Sequence, residues 1–70
     1  MEEDKQKILY ALLVALKQTR DLYDLVDLTY QPAQDMQFVI AKFTGGGTRK
    51  INVTLDSGVA MIRDVMEELR

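Results

Sequence analysis

Apolar residues recur through the first part of the chain at Ile8, Leu9, Leu12, Ala15 and Leu16, three and four apart, and no Gly or Pro interrupts residues 5–20. That spacing predicts a first helix there. Glu2, Glu3 and Asp4 precede it, where the helix dipole favours negative charge. At 100° per residue Leu9, Leu12, Leu16 and Tyr23 fall on one side, and Lys17, Asp21 and Asp24 on the other. Tyr10 and Val14 nevertheless fall on the polar side, so the first half of this helix is apolar almost all round. A helix of that kind is normally covered on more than one side.

The segment Leu22 to Tyr30 changes period. Asp24, Val26, Leu28 and Tyr30 alternate with Leu25, Asp27 and Thr29, and the β-branched and aromatic residues before Gln31-Pro32 favour a strand. Met36 to Thr44 is rich in strand formers on both faces, with Phe38 and Ile40 on one and Val39, Ala41 and Phe43 on the other. It reads as the central strand. Gly45 to Gly47 permit positive φ for a hairpin turn, and Arg49 to Leu55 then alternates, Ile51, Val53 and Leu55 inward. Asp56 or Ser57 caps a last helix whose expected buried stripe is Val59, Ile62, Val65, Met66 and Leu69.

The expected fold is therefore α+β in the order α-β-β-β-α, a three-stranded antiparallel sheet with both helices on one face. The alternative is α-β-β-α with the first helix running to Leu28. Seventy residues allow one domain, residues 1–70, with no internal repeat or linker. Ordering so short a chain must be offset by a very efficient core or by one shared between subunits.

Composition then removes whole classes of chemistry. There is no Cys and no His. Thiol nucleophiles, thiolate or imidazole metal sites, disulfides and Ser-His-Asp triads are excluded. No cofactor is expected and no catalytic constellation is visible, which favours a protein that works by contact. The lack of Cys and the acidic opening Met1, Glu2, Glu3, Asp4 lead us to expect a cytoplasmic protein. The longest apolar run, Ile8 to Leu16, is too short to cross a membrane.

Charge is unevenly distributed. The chain carries 9 basic and 11 acidic residues, yet Lys42, Arg49 and Lys50 stand without an acid between residues 36 and 55. A basic hairpin with a glycine turn is a candidate anion or nucleic-acid contact, although its flanking cations also serve to discourage edge pairing. The sequence GGGTRK lacks the glycine spacing and following helix of a nucleotide loop. Asp21, Asp24 and Asp27 recur every third residue, a spacing that drifts around a helix and suits a solvated edge better than a cation site.

The element order resembles that of double-stranded-RNA-binding domains. Those domains place a basic cluster at the start of the last helix, where this chain has Leu55, Asp56, Ser57, Gly58 and Val59. The resemblance is one of topology and implies no function.

What remains is the excess apolar surface of the first helix. A three-stranded sheet covers only one side of it. Leu9, Tyr10, Leu13 and Val14 are therefore the expected interface residues of a homodimer or of a protein partner, and Tyr10, Tyr23 and Tyr30 suit contact surfaces as well as cores. The leading functional expectation is a small non-catalytic interaction or regulatory module. Nucleic-acid binding through Lys42, Arg49 and Lys50 is the alternative.

Overall fold

A computed structural model describes residues 4–69. The acidic lead-in residues Glu2 and Glu3, and Arg70, lie outside the described residues. The order is α1 (Lys5–Leu16), β1 (Leu25–Pro32), β2 (Gln37–Phe43), β3 (Thr48–Asn52) and α2 (Gly58–Leu69). The sheet is antiparallel in the order β1-β2-β3. The α-β-β-β-α expectation holds, and the four-element alternative does not.

Asp4 starts α1 by accepting a hydrogen bond from Lys7 N–H through Oδ1, 3.0 Å away. The helix ends at Leu16, four residues before the expected end at residue 20. Thr19 is the reason. Its hydroxyl and its N–H both donate to the Leu16 carbonyl, at 2.7 and 2.9 Å, and Gln18 N–H donates to Ala15. These short-range bonds satisfy the terminal carbonyls and turn the chain away. Tyr23, grouped with the buried leucines by helical spacing, lies beyond the helix and is exposed.

β1 is shifted by a bulge between Leu25 and Asp27. The extra residue puts Leu25 and Leu28, three apart, on the same buried face and turns Val26 outward. Simple alternation had placed these two leucines on opposite faces. Pro32 closes the strand at the sheet edge, where no N–H is needed.

In β2, Val39 and Ala41 are fully buried, with Phe38 and Ile40 half-buried on the other face, as expected. Gly45 and Gly46 take φ values of 94° and 92° in the turn to β3. Phe43 N–H donates to Gly47 and Gly46 N–H to Phe43, closing the hairpin.

β3 is shorter than the alternating pattern implies, and Leu55 is 92% exposed instead of inward. Three bonds pull the chain out of the sheet. Asn52 Oδ1 accepts from Thr54 N–H, the Thr54 hydroxyl accepts from Gln37 N–H, and Asp56 N–H donates to Val53. Leu55 then takes a left-handed φ of 65°, costly for a branched side chain. Ser57 is the cap of α2, its Oγ accepting from Ala60 N–H.

The buried stripe of α2 is Gly58, Met61, Val65 and Leu69; Val59 is exposed and Ile62 only half-buried. Val65 and Leu69 of the expected stripe are buried and Met66 packs against the core, whereas at the start of the helix Gly58 and Met61 face inward in place of Val59 and Ile62. One core joins Leu9, Leu13 and Leu16 of α1, Met61, Val65 and Leu69 of α2, and Leu28, Val39, Ala41 and Ile51 of the sheet. Since Leu28 lies opposite Ala41, and Val39 opposite Ile51, these sheet residues share a face, and both helices cover it.

Candidate functional surfaces

The four interface residues expected on α1 divide. Leu9 and Leu13 are 0% and 8% exposed in the core, so folding within one chain already covers them. Tyr10 and Val14 are 64% and 48% exposed. Ala11 and Ala15 lie exposed beside them, so that the outer face of α1 carries Tyr10 and Val14 four apart and Ala11 and Ala15 four apart. Lys7, Lys17 and Gln18 border this strip. Leu9, Leu13 and Leu16 are buried, Ile8 and Leu12 are partly buried, and this strip is what the sheet and α2 leave uncovered.

The three hairpin cations also divide. Strand alternation places Lys42 and Lys50 on the sheet face opposite the helices and Arg49 on the helix-covered side. Lys50 Nζ lies 4.1 Å from the centroid of the Phe38 ring, a cation–π contact, and Lys42 stands across the ladder from Asp27. The Arg49 guanidinium turns to α2 and donates to the Glu68 carbonyl. That carbonyl is among the unsatisfied groups at a helix end, which a cation complements. The hairpin therefore does not gather its three positive charges about one anion.

The acidic run is likewise dispersed. Asp21 and Asp24 lie in the turn after α1 and Asp27 in β1, where its carboxylate accepts from Leu28 N–H and the Thr29 hydroxyl. Among the described residues no group of three acidic side chains is placed to hold a metal ion.

A groove that sequence spacing gave no way to foresee lies between the C-terminal ends of the two helices. Leu16, Leu22, Met66 and Leu69 line about 460 Å³ of it, and Asp21 and Arg49 stand at an adjoining opening of about 380 Å³. It joins residues from opposite ends of the chain. Its walls are mostly hydrocarbon, with Thr19 and Asp21 at the rim, so it offers an apolar shape.

The two sheet edges differ. Along β1, Gln6 of α1 donates through Nε2 to the Leu28 carbonyl and accepts from Tyr30 N–H through Oε1, at 3.2 and 2.8 Å. Its side-chain amide thus occupies the place of a neighbouring strand. Leu28 N–H is taken by Asp27, and Pro32 has no N–H to offer. Lys5 adds a bridge across the strand to Gln37 Oε1 at 2.9 Å, passing over Tyr30. Among the described residues no side chain makes a comparable contact with the outer edge of β3.

Among the described residues no helix is long and apolar enough to cross a membrane. No family model matches the chain, and neither the curated proteins nor the solved structures include a significant match.

Proposed function

We propose that this protein is a small, non-catalytic cytoplasmic interaction module that forms a homodimer through the outer face of α1. The observation that carries the reading is the exposed strip of Tyr10, Ala11, Val14 and Ala15 on a helix whose other apolar residues are in the core or packed against it. The strip is complementary to itself. When two copies of α1 cross antiparallel about the point between Leu12 and Leu13, Tyr10 meets Ala15 of the second copy and Ala11 meets Val14. Large residues then fall on small ones, which lets the two backbones approach and buries both aromatic rings. Lys7 comes beside Gln18 in this arrangement, so no like charges are forced together.

Light scattering on the full chain at tens of micromolar tests the reading. A mass of twice 8.0 kDa is the expected result, and a clean monomer at that concentration overturns it. Tyr10→Glu and Val14→Glu weaken the dimer, whereas Asp24→Ala, away from the strip, leaves it intact; equal effects from all three would place the interface elsewhere.

A further inference from the structure

We propose that the outer edge of β3 accepts an extended acidic segment of another protein as a fourth strand of the sheet. The inference concerns a different surface from the α1 strip and does not depend on dimerisation.

The hydrogen-bonding direction of β3 is fixed at both ends. Gly47 accepts from Phe43 N–H before the strand, and Val53 N–H donates to Gln37 after it. Backbone groups of residues 47, 49, 51 and 53 therefore point to β2. Those of Thr48, Lys50 and Asn52 point away from the sheet, by the alternation of an antiparallel ladder. These three residues are exposed, and among the described residues neither α2 nor a loop supplies their outward groups with a partner of the kind Gln6 gives β1. One edge of the sheet is closed by a side-chain amide, a carboxylate and a proline, and the other is open. An open edge is a template for main-chain pairing.

Charge selects the occupant. Lys50 is central in the edge, with Lys42 on the same face of the sheet, and Arg49 is its neighbour on the other face. In the antiparallel sense a second copy pairs over the whole strand only when centred on residue 50, where Lys50 opposes Lys50, a destabilising juxtaposition. A shift of one residue toward the turn opposes Arg49 to Arg49, and a shift away from it, which opposes Ile51 to Ile51, pairs residues 50–52 alone. An incoming strand with acidic side chains on the open face meets Lys50 instead. On the opposite face its side chains lie beside Ile51, which is buried, and beside Arg49, whose guanidinium is already held on the Glu68 carbonyl, so apolar residues are preferred there. The chemistry that fits is an extended segment in which acidic and apolar residues alternate. The same lysine that discourages self-pairing sets this preference.

The test uses the full chain and a blocked heptapeptide in which glutamate alternates with valine, with a lysine-for-glutamate version as control. Amide hydrogen exchange read by NMR is expected to slow at Thr48, Lys50 and Asn52 on adding the glutamate peptide, with affinity falling as salt is raised. The lysine peptide gives no such protection. Thr48→Pro removes an outward N–H without touching the bonds to β2, and it is expected to weaken binding about fivefold to tenfold, the scale of one hydrogen bond. Lys50→Glu keeps every backbone group and reverses the preference between the two peptides, so the test does not depend on the proline variant folding. Protection on β1 instead of β3, equal protection by both peptides, protection of β3 that grows with protein concentration alone, or no protection at millimolar peptide would each overturn the proposal. None of these results bears on the α1 strip, which is read by mass and by the Tyr10 and Val14 variants.

Discussion

At the turn into α2, Asp56 has a carboxylate oxygen, Oδ2, that is shut off from solvent with no hydrogen-bond donor beside it. The Asp64 carboxyl, two turns along, is its neighbour. With both groups ionised there is no donor between them, and a proton on Asp56 supplies one. Hydrogen bonding to Asp64, then burial, then the charge of Asp64 raise the Asp56 pKa above its ordinary 3.8, with Arg63 and Lys5 opposing the shift. The native state therefore holds this proton at a pH where the unfolded chain has lost it. The group's stabilising contribution is complete below 3.8 and is lost as pH rises through the raised native value. Asp56→Asn supplies a permanent donor and carries no charge. Thermal unfolding of this variant at pH 7 is expected at a higher temperature than that of the parent, with the difference closing as the pH falls below 4; an equal or lower midpoint at pH 7 would count against the proton held on Asp56. Leu55, one residue earlier, shows the same turn imposing a cost, since its left-handed φ is dictated by the bonds on either side of it.

At the scale of the element, Gln6 does more for β1 than helix periodicity suggests. It is an exposed polar residue in the first turn of α1, yet its amide satisfies two backbone groups of a strand 22 and 24 residues away. Gln6→Ala is expected to cost about 1 kcal/mol by denaturant titration, because the freed groups are partly wetted once the amide is gone. It also unmasks the β1 edge. Amide exchange at Tyr30 should accelerate, and with it the tendency of the chain to associate at high concentration; unchanged exchange at Tyr30 would show that the Gln6 bond does not protect this edge. Helix α1 thus has three distinct surfaces: the leucines that build the core, the amide that closes a strand edge, and the Tyr10 and Val14 strip.

For the whole molecule, one core of modest size holds everything. A domain of this length has roughly 4–10 kcal/mol of stability. Leu9, with no exposed surface, stands at the centre of what holds α1 to the sheet. Leu9→Ala is expected to remove about 2–5 kcal/mol, much of that total, while Tyr10→Ala on the adjacent position changes monomer stability by less than about 1 kcal/mol. Urea unfolding of the two variants, carried out at concentrations low enough to hold the chain monomeric, separates packing from association. Comparable losses would mean that Tyr10 belongs to the core.

The sequence by itself determined the element order, the positions of the turns and most of the inward face of the sheet. Those features follow from local rules: glycines where φ must be positive, a proline where a strand ends, and alternation in Val39, Ala41 and Ile51 that admits one buried face. It also located the unusual apolar surface on α1. Only the tertiary structure decided how that surface is shared, because Leu9 and Tyr10 are equally apolar neighbours and only the placement of the sheet distinguishes them. The bulge in β1, the early end of α1 and the exposure of Leu55 have a common cause. Each is set by a hydrogen bond or a register that one-dimensional periodicity does not contain, as when Thr19 claims the Leu16 carbonyl or Gln6 reaches β1. The contrast between a closed and an open sheet edge belongs to the same class. It depends on what stands next to each strand, and that is decided when the chain folds.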